Sequence, residues 1–442
     1  MVSTQAVAVR RSLITAVPRV LVVSGLTAIS VALVTGIGQL PPQIRSAVDK
    51  ALALAGGAVA GGAGTGGVAA GDALSNGVAA GTETAEQALT GTLQQQMQYM
   101  EFIADGVERI SFAFPFLFVI VTALVVYMTI TRLVDTDRAT MGCLKTLGYS
   151  TASIVKQYLP FTLLGTVVGS LAGLALGYWL VGPMLFNTVQ DFGDMPSPDA
   201  VVPVLGMVTA AGIVLIMVAV TIVAALRTAR EKPTTLLRGK APQGASKSLI
   251  EHVAWVWNRL SFRYKSTLRN IFRFPVRLVM TVFSMMLSTV LVCAGLSLWF
   301  ALDDTDPALM DTIRPISVLL VVAAIVLNAL VIYNITNINI EERRREIATL
   351  KVLGYRDLEV AGYVFREILI LTVMGIILGI PAGYGTMVFL FGYLQFGGVE
   401  YVEWWVWPLA GVLALASLGL ANVLLYRKLV ATDMNSSLKT VE

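Results

Sequence analysis

The side chains best suited to chemistry are few in this sequence, and their spacing does not form a site. The chain contains two cysteines, Cys143 and Cys293, and one histidine, His252. Cys143 lies in a polar segment and Cys293 in the middle of an apolar run, whereas His252 has no acidic or cysteine neighbour at a spacing typical of metal ligands. We therefore expect no disulfide, no metal site and no catalytic residue in this chain.

A nucleotide-binding loop is also missing from the sequence. The loop that cradles the phosphates of ATP requires the pattern G-x-x-x-x-G-K-[ST]. The glycine-rich segment Gly56–Gly81 holds ten glycines in 26 residues, but it has no lysine at the required place. The chain is therefore predicted not to be an enzyme. If ATP drives it, a separate chain hydrolyses the nucleotide.

One segment occurs twice, 206 residues apart. Thr140–Tyr149 reads TMGCLKTLGY, and Glu346–Tyr355 reads EIATLKVLGY. The chain is therefore a tandem duplication. The same offset carries one stripe of glycines onto another without a gap, namely Gly169, Gly173 and Gly177 onto Gly375, Gly379 and Gly383.

These repeats must be positioned by membrane helices. Of the 442 residues, 56% are hydrophobic and 14% are charged, and the charges cluster between apolar runs long enough to cross a hydrocarbon core of about 30 Å. We predict an all-α integral membrane protein with eight transmembrane helices. The apolar runs are Ser12–Leu40, Ser111–Arg132, Tyr158–Leu180, Val201–Leu226, Val276–Phe300, Pro315–Ile335, Ile368–Phe391 and Trp404–Leu425.

The distribution of basic residues predicts the orientation. Arg227–Arg277 holds twelve lysines and arginines against two acidic residues, Glu231 and Glu251. Cytoplasmic loops carry such an excess, so we expect this loop and both termini to face the cytoplasm. Because four spans separate the two copies, the chain is expected to form two parallel four-helix repeats whose polar segments both face the cytoplasm.

The one sizeable extracytoplasmic segment lies between the first and second spans. An apolar stripe that begins at Ile44 and a second one over Glu83–Ile110 predict an antiparallel helical hairpin that runs into the second span. Its tip, Gly56–Gly81, is expected to be flexible or irregular, because each glycine weakens a helix by about 1 kcal/mol relative to alanine. Whether the tip is a linker or a contact surface is left open.

These patterns divide the chain into five units. The membrane core is expected to be alike in both halves, whereas the hairpin belongs to the first half alone. The units are residues 1–40 (first span), 41–110 (hairpin), 111–238 (first repeat), 239–277 (basic cytoplasmic linker) and 278–442 (second unit of four spans).

Glycines at a spacing of four follow one face of the third and the seventh spans. A missing side chain lets another helix approach closely, so this pattern favours helix packing over a place in a substrate path. The residues are Gly165, Gly169, Gly173 and Gly177 in the third span and Gly375, Gly379 and Gly383 in the seventh.

A short polar helix is predicted before each of these spans, over Asp135–Gly148 and over Glu341–Gly354. Both alternate charged and apolar residues and stop at Gly-Tyr, as helices do at a glycine in the left-handed conformation. Such a helix either docks into a groove of a partner or lies on the membrane surface and only anchors its loop.

The second copy carries a family resemblance. Asn337–Tyr355 reads NINIEERRREIATLKVLGY, and the span containing Gly375, Gly379 and Gly383 follows it. This combination resembles the FtsX-like permease domain of ATP-binding-cassette systems, the group that includes MacB and the LolC and LolE lipoprotein-releasing permeases. The first copy, Thr131–Tyr178, is similar but has Thr140 in place of Glu346. The resemblance covers roughly residues 111–238 and 260–442.

The resemblance implies that the polar helices are coupling helices seated in two copies of a cytoplasmic ATPase subunit, which would bind ATP and Mg²⁺. No cofactor is expected in this chain itself. Only the second copy has the full Glu-Arg-Arg-Arg-Glu run, so we expect it to couple more strongly. The implied contact residues are Leu144, Lys145, Leu147, Gly148 and Tyr149 in the first copy, and Glu341, Arg344, Glu346, Leu350, Lys351, Leu353, Gly354 and Tyr355 in the second.

Two functions are compatible with this resemblance. The first is a permease subunit of the mechanotransmission type in a bacterial cytoplasmic membrane, which exports or extracts an amphiphilic substrate such as a lipid, lipoprotein, peptide or drug. The alternative is a regulator that transports nothing and moves an extracytoplasmic partner such as a cell-wall hydrolase. An ion-coupled carrier is disfavoured because ionisable residues are almost absent from the spans. The expected partners include membrane lipids but no nucleic acid.

Overall fold

The computed structural model describes residues 2–62, 75–190, 204–237, 262–272, 275–301, 307–342, 344–395 and 397–430. Every regular element within these ranges is helical, which confirms the predicted all-α class. The helices are α1 Val2–Ile37, α2 Leu40–Gly62, α3 Ser75–Thr136, α4 Arg138–Thr146, α5 Thr151–Lys156, α6 Leu159–Leu176, α7 Gly182–Gln190, α8 Val204–Ala229, α9 Pro233–Leu237, α10 Phe262–Phe272, α11 Pro275–Phe300, α12 Pro307–Glu342, α13 Arg344–Val352, α14 Asp357–Leu394 and α15 Val406–Val430. A π-helix, Gly177–Val181, joins α6 to α7, and a 3-10 helix spans Val399–Tyr401.

Eight stretches in the described part of the chain are long and apolar enough to cross a membrane. Each overlaps one of the eight apolar runs, and the chain is a multi-pass integral membrane protein. The stretches are Arg19–Lys50, Gln98–Thr136, Thr151–Asn187, Val204–Ala229, Leu278–Phe300, Thr312–Glu341, Glu359–Leu394 and Val406–Tyr426.

The outer helices of the bundle expose large apolar side chains, as a lipid-facing surface requires. Leu171 on α6, Leu215 on α8, Phe389 on α14 and Val423 on α15 are all exposed. In water such a surface would be unfavourable, whereas lipid tails solvate it. These four helices therefore form the periphery of the bundle. The helices α1, α3, α11 and α12 form the interface at which the two halves meet.

The packing of the two halves follows one scheme. In the first half α1 packs against α6 and α3 against α8, and in the second α11 packs against α14 and α12 against α15. The halves meet where α1 contacts α12, where α3 contacts α11 and where α3 contacts α12. A buried hydrogen bond crosses this interface, because the Asn334 side-chain amide donates to Thr129 Oγ1 at 2.8 Å. The duplication of the sequence is thus a pseudo-twofold duplication of the bundle.

The glycine stripes lie at the closest helix contacts of each half. Gly169, Gly173 and Gly177 approach α1, and Gly375, Gly379 and Gly383 approach α11, so closely that an added Cβ would lie within 2.9 Å of a neighbouring atom at each position. The order of the contacts shows that α1 and α6 run in the same direction, as do α11 and α14. The partners on α1 and α11 are Thr27, Val31 and Thr35, and Met285, Thr289 and Cys293.

This contact register relates the first spans of the two halves, which the glycine offset alone does not do. Thr27 and Met285, Val31 and Thr289, and Thr35 and Cys293 each differ by 258 in number, whereas the glycines differ by 206. The first half therefore has 52 more residues between its first and third spans. These extra residues fall in the segment that forms the hairpin.

The hairpin consists of α2 and the first part of α3. Arg45 on α2 forms ion pairs with Asp105 at 2.7 Å and Glu108 at 2.8 Å on α3. α3 is one helix of 62 residues that continues from the hairpin into the membrane core, with Pro115 inside it. At about 1.5 Å per residue it is roughly 93 Å long.

The hairpin tip is more helical than its glycine content predicts. α2 extends through Gly62 and α3 begins at Ser75, before Gly77 and Gly81, so the prediction of an irregular segment over the whole of Gly56–Gly81 is wrong. Within Gly56–Gly81, residues 63–74 lie outside the described part. The alanines between these glycines have the highest helix propensity of all residues, which offsets part of the cost of glycine.

One irregularity distinguishes the halves. The π-helix Gly177–Val181 occurs in the third span, whereas α14 is α-helical through the equivalent positions. Val181 packs against Gly36 on α1, where a Cβ would lie 2.2 Å from the valine side chain. The wider π-turn thus occurs at the end of the bundle that carries the hairpin, here called the hairpin end. The opposite end, which carries α4 and α13, is called the polar-helix end.

Candidate functional site

The polar-helix end carries the two repeated helices. α4, Arg138–Thr146, is separated from α3 by the single residue Asp137. α13, Arg344–Val352, is likewise one residue beyond the end of α12 at Glu342, and that residue, 343, lies outside the described part of the chain. Both are nine residues long. They are shorter than predicted because Asp135 and Glu341 belong to the ends of the long helices α3 and α12.

Both polar helices end in the same turn. Gly148 and Gly354 have φ angles of 86° and 89°, which confirms the left-handed glycine predicted from the Leu-Gly-Tyr sequence. In the first copy the Gly148 N–H donates to the Lys145 carbonyl and the Tyr149 N–H to the Leu144 carbonyl, each at 3.1 Å. The second copy repeats both bonds, from Gly354 to Lys351 at 3.0 Å and from Tyr355 to Leu350 at 3.1 Å. This is the Schellman motif, which satisfies the last helix carbonyls.

The turn leaves an apolar side chain uncovered at each tip. Leu147 is 75% exposed and its equivalent Leu353 is 70% exposed. No atom lies within 4 Å of a Cβ added to Gly148 or Gly354, so the space around both turns is open. Glu346 and Tyr355 of the second copy are also exposed. These six residues form the outward surface of the site.

Most of the remaining predicted contact residues are partly buried against their own half. Leu144 and Tyr149 pack against the core of the first half, and Leu350 packs against a small cluster that contains Ile347 and Leu425. Lys351 is half-buried. The side chain of Arg344 lies outside the described residues. The predicted set therefore divides into an exposed tip and a buried base.

Charged contacts tie the first polar helix to the segment after the fourth span. Arg138 forms ion pairs with Glu231 and, at 3.5 Å, with Asp135. Lys145 Nζ donates to the Glu231 backbone carbonyl at 2.8 Å. Lys145, predicted as a contact for a partner, thus binds within its own half.

The apolar face of α4 rests on α9. A Cβ at Gly142 would lie 2.9 Å from the Leu237 side chain, and Met141 and Leu236 are buried beside it. In the second copy the position of Gly142 is taken by Ala348, which is also buried. The sequence equivalent of α9 follows residue 430 and lies outside the described residues. Both apolar packing and ion pairs therefore hold α4 in place against the first half.

Asp137, which joins α3 to α4, is a site residue that the sequence patterns did not indicate. It accepts a hydrogen bond from the Tyr158 hydroxyl at 3.3 Å. Burial raises the pKa of the Asp137 carboxyl above its ordinary value, although this hydrogen bond and the positive charge of Arg19 both act to lower it. The junction residue is therefore an acid held in a partly buried, charged setting.

Arg19 and Glu341 form the second unexpected contact. Arg19 lies on α1 of the first half and forms an ion pair with Glu341 near the end of α12 in the second half. The side chains are 14% and 36% exposed. Glu341, predicted as a contact for a partner, thus connects the two halves. Its residue type and the basic start of the first apolar run were visible in the sequence, but no pattern related positions 322 residues apart.

A family model matches the chain in two segments, one in each half. The model of the FtsX-like permease C-terminal domain matches residues 112–233 and 318–434, which together make up more than half of the chain. The chain belongs to the FtsX-like permease family. The comparisons with curated proteins and with solved structures found no match.

The two FtsX-like segments hold the polar helices at the same place. Their first residues differ by 206, the offset of the repeat, so α4 and α13 begin equally far into each segment. The α1 helix, the hairpin and α11 lie outside the matched segments. Within the described ranges no group of three or more His, Cys, Asp or Glu side chains could hold a metal ion. The feature that both FtsX-like segments repeat is the polar helix with its exposed Leu-Gly-Tyr turn.

Proposed function

We propose that this chain is the membrane subunit of an ATP-binding-cassette system of the mechanotransmission type, with α4 and α13 as its coupling helices. The observation that carries the proposal is the pair of equivalent tips, where the same Schellman turn exposes Leu147 in one half and Leu353 in the other. A single exposed leucine is ordinary on a protein surface. Two at equivalent positions, each beside a helix packed against its own half, support two docking sites.

In this proposal both tips face the cytoplasm. The support is the excess of basic residues in Arg227–Arg277, which favours a cytoplasmic location for the loop between α8 and α11. The two termini then also face the cytoplasm, and the membrane is the bacterial cytoplasmic membrane. Each tip would enter a cleft of one of two copies of a separate ATPase subunit.

ATP hydrolysis belongs to that partner. The sequence of this chain contains no G-x-x-x-x-G-K-[ST] pattern, so ATP and Mg²⁺ would bind to the ATPase subunits. The role of this chain is to change conformation when the docked subunits approach one another. No cofactor is required in it for that role.

The continuity of α3 supports a mechanical output at the hairpin end. Arg138 ties α4 to Glu231, between α8 and α9. α4 follows α3 after one residue, so a displacement of α4 would act directly on α3. α3 extends through the membrane core into the hairpin without a break. The hairpin would therefore move with the ATPase cycle and extract an amphiphilic substrate such as a lipid, lipoprotein, peptide or drug.

A regulator that moves an extracytoplasmic partner, such as a cell-wall hydrolase, is the second candidate. The same observation favours it, since a continuous α3 transmits motion whether or not a substrate passes. Shortening the hairpin by deletion of residues 56–81 separates the two. Loss of activation of the partner with unchanged export of amphiphiles would favour the regulator, and loss of export would favour the permease.

Docking is tested by co-purification with the ATPase encoded beside this chain. Leu147→Asp together with Leu353→Asp should abolish the complex and the stimulation of ATP hydrolysis, because both tips would carry a charge into an apolar cleft. Ala139→Asp, at an exposed position of α4 away from the tip, is the matched control and should leave the complex intact. A complex that survives the double substitution would rule out docking through these tips.

A further inference from the structure

The Arg19 guanidinium interacts with residues at the bases of both polar helices, through an ion pair with one and through its charge with the other. Arg19, at the polar-helix end of α1, forms an ion pair with Glu341, which is three residues before α13. The positive charge of the same residue acts on Asp137, the single residue that joins α3 to α4. One side chain therefore contacts the base of α13 and influences the base of α4.

The Arg19 side chain is largely buried, and one of its hydrogen-bond donors has no acceptor among the described residues. It is 14% exposed, and its Nε atom is buried with no hydrogen-bond partner among the described residues. A guanidinium has five N–H donors in a planar fork and can bind two acceptors at once or exchange one for another. Arg19 therefore has donor capacity beyond its ion pair with Glu341.

The sequence contains the same charges for the other half. Under the offset of 258 that relates α1 to α11, the equivalent of Arg19 is Arg277. Under the offset of 206, the equivalent of Glu341 is Asp135. In the sequence, a basic residue near the start of the first span of each half is thus matched by an acidic residue before the polar helix of the other half.

We propose that Arg19 is a positioning residue that couples the two polar helices across the halves, so that a displacement of α13 changes the position of α4. This inference rests on the proposed function for its consequence, which is cooperativity between the two ATP sites. When α13 moves, separation from Glu341 would remove the ion-pair partner of the largely buried Arg19, which is unfavourable. Arg19 would then follow Glu341, and its attraction to Asp137 would carry part of that displacement to the junction between α3 and α4.

The first test measures the two helices without any ATPase. Cys143 on α4 is exposed and Cys293 is buried, so a nitroxide label attaches to α4 at Cys143 alone. Thr349→Cys adds a second label at the equivalent, exposed position of α13. In the full chain reconstituted in lipid nanodiscs, Arg19→Gln should shift or broaden the distance distribution between the labels, and Arg19→Lys, which keeps the charge, should retain most of the original distribution.

The second test uses the complex with the ATPase. If the complex hydrolyses ATP with a Hill coefficient above 1, Arg19→Gln should lower the coefficient to about 1 while the complex still co-purifies, and Arg19→Lys should keep it high. Arg45→Gln, which removes exposed ion pairs of the hairpin, is the control and should change neither the distances nor the coefficient.

The two tests separate this inference from docking itself. An unchanged distance distribution and an unchanged Hill coefficient in Arg19→Gln would overturn the coupling role. Failure of the native chain to bind the ATPase would instead overturn the proposed function, while the label distances would still decide whether Arg19 links the helices. A change in distances that Arg19→Lys does not reverse would mean that Arg19 only packs there, which also contradicts the proposal.

Discussion

The two ends of this bundle differ in how well they follow the duplication. At the polar-helix end the halves agree down to the individual hydrogen bonds of the turns at Gly148 and Gly354. At the hairpin end the first half has α2, the long α3 and the π-helix Gly177–Val181, and the second half is α-helical where the π-helix would be. Under the proposed function, this difference would mean that the ATPase subunits act on two repeated surfaces at one end and that only the first half carries a hairpin to be moved at the other.

The largest expected effect concerns the helix contacts that both halves share. Gly173→Leu and Gly379→Leu should each prevent correct folding, because a Cβ would lie 2.6 Å from the Ala28 carbonyl oxygen in the first case and 2.7 Å from the Thr289 Cβ in the second. We expect each substitution to lower the free energy of unfolding by about 3 kcal/mol or more. Size-exclusion chromatography and thermal unfolding measure it.

The matched control for these variants is Gly385→Leu on α14, where no atom lies within 4 Å of an added Cβ. It should give nearly normal yield and thermal stability. If Gly173→Leu and Gly379→Leu fold as well as this control, the close approach of the helices is not required. If only one of them fails, the two halves are not mechanically equivalent in the membrane.

The second prediction concerns the hairpin end, where the halves differ. Gly36→Ala should destabilise the chain by roughly 1–3 kcal/mol, because the new Cβ would lie 2.2 Å from Val181, a stiff β-branched side chain in the π-helix. In the second half the equivalent residue is already alanine, Ala294, opposite an ordinary α-helix.

The double variant Gly36→Ala with Val181→Ala should recover part of the lost stability, because it removes the Val181 Cγ1 atom 2.2 Å from the new Cβ, whereas the Cβ at 2.5 Å remains. Thermal unfolding of the two single variants and the double variant measures this coupling. Strictly additive losses in the double variant would show that the π-helix and α1 do not depend on each other.

The third prediction tests the equality of the tips. Gly148→Ala and Gly354→Ala force alanine into a left-handed conformation, at a cost of about 1–2 kcal/mol, although the surrounding space is open. Each should reduce ATPase stimulation and leave the membrane core intact. Gly362→Ala, in open space within α14, is the control and should have little effect. A large effect from Gly354→Ala alone would show that the second copy dominates.

The smallest effect is a dependence on pH at Asp137. Burial raises the pKa of this carboxyl in the folded chain, so the folded state binds the proton more tightly than the unfolded state does. The resulting stability is present at pH below the ordinary aspartate pKa and is lost as the pH rises through the folded pKa. Asp137→Asn should therefore be more stable than the native chain at neutral pH, and thermal unfolding should show this advantage shrinking as the pH falls.

The sequence predicted the features that repeat or that follow one period. Apolar runs predicted the eight spans, because the hydrocarbon core demands a minimum length of apolar helix. Leu-Gly-Tyr predicted the left-handed turns, because glycine adopts that conformation without steric cost. The glycine spacing indicated close packing, and the contact register added which residues of α1 and α11 are approached.

The contacts that hold the site together could not be predicted in this way. The pair Arg138 and Glu231 joins residues 93 positions apart, and Arg19 and Glu341 come from different halves. Such pairs depend on how the helices are arranged, and charges at the ends of spans have many possible partners. The π-helix is equally hidden, because the Gly-Tyr at its start occurs at the equivalent position of α14 without one.

The length of α3 has a consequence for the surface that the hairpin presents. A hydrogen-bonded helix turns about its own axis as one body, so rotation imposed near Asp137 reaches the hairpin even if the helix does not tilt. With side chains about 5 Å from the axis, a rotation of about 20° moves them by roughly 2 Å around the circumference. Exposed residues such as Phe102 would then face a different direction, and the surface of the hairpin would change through rotation of α3 alone.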